Sequence, residues 1–130
     1  MAAGEPSEDA LDQAHLSRIT FGDTALAREV LGLFTQQAHR SLAEIDGAPP
    51  DSLRQIAHRI KGSAQGIGAW KVAEAAAAVE AAASAGNNEV ERTLGTLRRC
   101  MTDAVSAIAA IMSDDGDTAA RSGVRRSKPI

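Results

Sequence analysis

Aromatic side chains make up only 2% of this 130-residue chain, and much of its 44% apolar content is alanine. A core built this way suits closely approaching helices and leaves no case for a large cofactor pocket. Cysteine is equally scarce. The single Cys100 excludes an intramolecular disulfide and fits a reducing compartment. It lies in a segment with helical spacing, where it reads as a small structural residue. Charge of one sign is missing too: 17 acidic and 14 basic residues leave a formal net charge of -3. That balance argues for neither nucleic-acid nor membrane-surface binding. No apolar run approaches the roughly 20 residues of a membrane span. The acidic start, through Glu5, Glu8 and Asp9, lacks the basic residues and apolar stretch of a secretory signal. The expected compartment is the cytoplasm, and the length predicts a single domain.

What is present is punctuation. Gly22-Asp23-Thr24, Gly47-Ala48-Pro49-Pro50-Asp51 and Gly86-Asn87-Asn88 each combine a helix stopper with an N-cap residue. A fourth break, Gly66-Ile67-Gly68, turns what would be one long helix back on itself. After a short helix around residues 9–19, the first long block runs over 24–46, with Leu26, Val30, Leu33, Phe34, Ala38, Leu42 and Ile45 at helical spacing. The second, 52–65, puts Leu53, Ile56, Ala57, Ile60 and Ala64 on one face. The third, 69–85, is dominated by alanine between Trp70 and Ser84. The fourth, 88–112, steps by three and four through Val90, Leu94, Leu97, Met101, Ala104, Ile108 and Ile111.

No segment has the period-two alternation of a strand. The predicted fold is all-α, an antiparallel four-helix bundle with a short extra N-terminal helix. Residues 1–14 read as a mostly flexible segment, 15–112 as the bundle, and 113–130 as a disordered C-terminal tail.

The chemistry concentrates in residues 57–69. At 100° per residue, with the apolar centre near Leu53, Ile60 and Ala64, His58 points roughly 140° off the core, Gln65 roughly 120°, Lys61 roughly 80° and Gly62 roughly 180°. Lys61 at i+3 and Gly62 at i+4 share a face with the imidazole. A glycine inside a helix costs about 1 kcal/mol against alanine, so Gly62 beside an exposed histidine asks for a reason, and close approach by another protein is one. On spacing alone, an ordinary surface histidine beside a solvated lysine and a tolerated glycine remains an equal reading.

His58-Arg59-Ile60-Lys61-Gly62-Ser63-Ala64, followed by Ile67-Gly68-Ala69 and Val72, resembles the phosphorylation motif of histidine-containing phosphotransfer (HPt) domains. That motif is H-x-x-K-G-[SA]-[SA], then an aliphatic residue, a glycine and a small residue. Phe21-Gly22-Asp23, opening a long helix with Leu33-Phe34, extends the likeness, which covers roughly residues 16–112. Gly66 and the bulky Trp70 depart from it mildly.

The resemblance implies a four-helix bundle with its phosphoacceptor on the second long helix. His58 would accept phosphate on Nε2, Lys61 would help hold the phosphoryl oxygens, and Gly62 would leave room for a partner loop. Arg59 and Gln65 would flank that contact. Glu80, on the third long helix, matches a position where the family often bonds the other ring nitrogen, although a solvated glutamate is its simpler reading.

The chain would then be a phosphoryl carrier of a two-component phosphorelay, without kinase activity and without a cofactor of its own. Its partners would be response-regulator receiver domains and hybrid or other histidine kinases, with magnesium supplied by the receiver. A monomer is expected. The rival reading is a phosphate-independent helical adaptor for a receiver or kinase. Histidine-kinase dimerisation motifs carry an acid after the histidine and then a Thr/Asn-Pro pair, which Arg59 to Ser63 lack. No glycine-rich segment follows a strand as ATP binding needs. His15, His39 and His58 fall on separate segments with no Glu three residues before any of them, which disfavours a metal bundle.

Overall fold

The computed structural model describes residues 10–86 and 88–127, with side chains as far as residue 113. Helix α1 spans Gln13–Ile19, α2 Thr24–Ile45, α3 Pro50–Ile67, α4 Trp70–Ala85 and α5 Val90–Ser127. All described elements are helical, and α2 to α5 pack in a closed ring in which each helix touches its chain neighbours and α5 returns to α2. Short connections make consecutive helices antiparallel.

Each start and stop has a local cause. Asp12 caps α1 by accepting the His15 amide at 3.0 Å, and Asp23 caps α2 by accepting the Leu26 amide at 3.0 Å. Pro50 opens α3, where its missing N–H is no loss. Gly68 closes the same helix in the left-handed conformation at φ +83°, and Ala69 leads straight into α4.

The core is aliphatic. Leu53, Ile56, Ala57, Ile60 and Ala64 of α3 are buried against Val72, Ala76 and Val79 of α4 and Leu97, Met101 and Ile108 of α5. Alanines let α3 and α4 approach closely, and this is the pair that carries the site. On α2 the buried row is Leu31, Phe34, Ala38, Ser41 and Ile45. Leu33, expected in the core, is 61% exposed. It sits about 100° from Phe34, whereas Leu31 is three residues before it and shares its face. Phe21, in the turn between α1 and α2, is 91% exposed and has φ +56°.

The two ends of the bundle carry structure of their own. Residues 10–14 are not a loose leader: Ala10 and Leu11 are buried and Asp12 is the α1 cap. Residues 1–9, the rest of that expected segment, lie outside the described residues. At the other end the backbone of α5 is helical as far as Ser127. Once a helix is nucleated, each further residue adds a hydrogen bond at little cost. Gly116 and Gly123 cost about 1 kcal/mol each without stopping it, and no proline occurs between Val90 and Pro129. Residues 128–130 lie outside the described residues.

Candidate functional site

Because α3 buries its Leu53, Ile60 and Ala64 side, His58 falls on the outer face with its side chain 68% exposed. Across the α3–α4 contact, Nδ1 of His58 lies 3.0 Å from Oε2 of Glu80. The other oxygen, Oε1, lies 3.2 Å from Nζ of Lys61. One carboxylate thus bridges two donors that stand three residues apart on the neighbouring helix.

Burial pushes the Glu80 carboxyl up, but hydrogen bonds from Lys61 and then His58, with their charges, outweigh it and hold it below its ordinary value. It is therefore ionised at neutral pH and can only accept. The tautomer of a neutral His58 follows: Nδ1 carries the hydrogen, and Nε2 keeps a lone pair directed away from Glu80.

The remaining sequence-predicted residues divide. Gly62 is exposed, and a Cβ built there would meet nothing within 4 Å, so backbone is laid bare one turn beyond the imidazole. Gln65 is exposed on the same side. Arg59 turns towards α2, where its Nη2 lies 2.7 Å from Oε1 of Glu44 in a half-exposed ion pair. Lys61, expected at phosphoryl oxygens, has its Nζ 3.2 Å from Oε1 of Glu80.

Other candidates lie elsewhere. Cys100 is partly buried on α5, where burial and then the nearby Asp103 push its thiol up, away from the reactive thiolate. Among the described residues no group of three or more His, Cys, Asp and Glu could hold a metal ion. None of the helices, over the described residues, is long and apolar enough to cross a membrane.

A second constellation escaped the sequence reading. Trp70 Nε1–H donates to Asp12 Oδ2 at 2.9 Å, the Asp12 amide donates to Gly68 O at 2.9 Å, and His15 Nε2 lies 3.1 Å from Gly66 O. The rings of His15 and Trp70 meet edge to face at 5.0 Å. The only local signal was Asp12 as an N-cap three residues before His15, which says nothing about Trp70.

Comparison with protein families gives a match to the model described as Hpt domain over residues 29–111, more than half of the chain. The comparisons with curated proteins and with solved structures return no match.

Proposed function

Since the chain belongs to the Hpt domain family, whose members take part in histidine phosphotransfer in phosphorelays, we propose that it carries a phosphoryl group on His58, to or from the aspartate of a receiver domain. The observation that carries this reading is the exposed imidazole bonded to an ionised Glu80 through Nδ1, which leaves Nε2 as an outward nucleophile. Receiver domains and histidine kinases are the partner class, and the bare helix at Gly62 is where a partner loop comes close.

Phosphoryl transfer depends mainly on positioning and on balancing charge at the equatorial oxygens. In the forward step Nε2 attacks the phosphorus of an aspartyl phosphate in line. The Nε2–P bond forms as the P–O bond breaks, and the aspartate leaves as a carboxylate. The ring, still carrying hydrogen on Nδ1, becomes cationic, and Glu80 offsets that charge. Lys61, three residues on and sharing a face of α3 with His58, would offset charge on the new phosphoryl oxygens. The chain needs no metal of its own in this scheme, with magnesium held by the receiver.

The test is incubation with a phosphorylated receiver and magnesium. Acid-labile phosphate is expected on His58 and absent from His58→Gln. Label that persists in that variant, or settles on His15 or His39, refutes the assignment. Tight receiver binding with no label would favour the adaptor.

A further inference from the structure

The residues that precede the family match are sutured to the end of the helix that bears His58. The last turn of a helix leaves carbonyls without intrahelical donors. At the end of α3, Gly66 O is met by Nε2 of His15 and Gly68 O by the Asp12 amide, at 3.1 and 2.9 Å. A carbonyl only accepts, so Nε2 of His15 bears a hydrogen. The Asp12 carboxylate bonds two elements at once, taking the His15 amide on Oδ1 and the Trp70 indole on Oδ2. Gly68 is pressed so closely that a Cβ there would lie 3.0 Å from both Cβ and O of Asp12 and 3.2 Å from the His15 ring. Three elements, α1, the end of α3 and the start of α4, are held at one point.

That point lies at the C-terminal end of the helix that bears His58. Gly66 follows His58 by eight residues, about 12 Å along the axis at 1.5 Å each, with Gly62 between them and both glycines exposed. A partner seated over His58 that extended along the bare backbone of α3 would come to the 43% exposed Trp70 at the far end.

We infer that Asp12, His15 and Trp70 form a latch that positions this far edge of the partner-facing surface. They act as positioning residues for docking, and this role rests on the phosphocarrier reading of His58. His58, Lys61 and Glu80 are bonded to one another and not to the latch. Opening it therefore displaces α1 and the α3–α4 turn while leaving the reactivity of the imidazole unchanged. The latch also has its own reporter, because Trp70 is the only tryptophan.

The test uses the full chain and two phosphodonors. One is the receiver domain, charged with acetyl phosphate, that labels the wild type fastest. The other is phosphoramidate, a donor too small to need a docking surface: its P–N bond breaks as Nε2–P forms, and ammonia leaves. Trp70→Phe deletes the N–H donor while keeping a ring against His15, and Asp12→Ala removes both acceptors. With helicity retained and tryptophan emission altered in Asp12→Ala, both variants should raise KM for the charged receiver about three- to tenfold, a fold-change that corresponds to part of what a hydrogen bond to a charged group contributes, because the latch acts on docking only through the position of the α3–α4 edge. The kcat and the phosphoramidate rate should stay within about twofold, and Asp12→Asn, which keeps one acceptor, should fall between.

Unchanged KM in both folded variants overturns the latch alone. An equal fall with both donors overturns it too, since α1 would then serve only to hold the bundle together. Wild-type His58 that neither donor labels overturns the phosphocarrier reading, and the latch role with it.

Discussion

Replacing Gly68 by alanine should cost this protein much of its stability, while the same change at Gly62 or Gly66, in the same helix, should not. Gly68 sits at φ +83°, where an L side chain pays about 1–2 kcal/mol. The added Cβ would also stand 3.0 Å from Cβ and O of Asp12. Relief is expensive, because Asp12 O accepts the Leu16 amide at 3.1 Å and the Asp12 amide is bound to Gly68 O at 2.9 Å. Overpacking of this kind costs about 1–3 kcal/mol.

Together the two effects predict a loss of about 2–5 kcal/mol, a large share of the 5–15 kcal/mol that is typical of a domain, and a fall in Tm on the order of 10 °C. Gly62 and Gly66 are ordinary helix positions whose Cβ would meet nothing within 4 Å. Alanine there should gain up to about 1 kcal/mol from helix propensity. Urea denaturation of the three single variants, read by circular dichroism with the slope checked for constancy, measures all three signs. A Gly68→Ala protein as stable as the wild type would refute the close approach of the N-terminal segment. Loss of stability in Gly62→Ala would refute the open space around that residue. Gly62→Gln should also stay folded yet slow transfer from a charged receiver, because its side chain fills the space next to His58.

Removing the bridging carboxylate in Glu80→Ala should slow transfer about ten- to a hundredfold without unfolding the bundle. Glu80→Gln should be milder, since one amide oxygen can serve His58 or Lys61 but not both; wild-type rates in Glu80→Ala would remove Glu80 from the mechanism. Acid should weaken the site and the latch together. Hydrogen bonds from Trp70 and from the His15 amide hold the Asp12 carboxyl below its ordinary 3.8, and Glu80 is held below 4.5. A carboxyl whose folded pKa is depressed contributes stability in full above its unfolded value and loses it as pH falls through the folded one. Thermal midpoints from pH 7 down to pH 3 should therefore drop further for the wild type than for the Asp12→Asn, Glu80→Gln double variant, and parallel curves would contradict this. Phe21, strained at φ +56° with its ring in water, should accept asparagine at no cost or with a gain of up to about 1 kcal/mol; a clear loss in urea denaturation would mean that the ring has a packing role.

The sequence by itself determined the helices and the exposed face of α3. Periods of three and four mark Leu53, Ile60 and Ala64 or Leu97, Met101 and Ala104 as core, because side-chain direction within a helix is fixed by 100° per residue. The same arithmetic turned His58, Gly62 and Gln65 outward, and the left-handed glycine at 68 was legible as a break. Leu33 was misplaced because Leu26, Val30 and Leu33 alone satisfy a helical stripe; only packing against α5 reveals that Leu31 leads the true one.

What the tertiary structure decided are the bonds between helices. Glu80 stands 22 residues from His58, and only the rotation of α4 against α3 brings Oε2 to 3.0 Å. That same rotation, with Glu80 already between them, draws Lys61 onto the carboxylate, and the meeting of α2 with α3 takes Arg59 to Glu44. Trp70 and Asp12 are 58 residues apart, and nothing in the periodicity of either segment specifies their meeting. Periodicity records which side of a helix avoids water; how two such sides turn against each other is set by the fit of alanines and their larger neighbours at the contact, which exists only once both helices are in place.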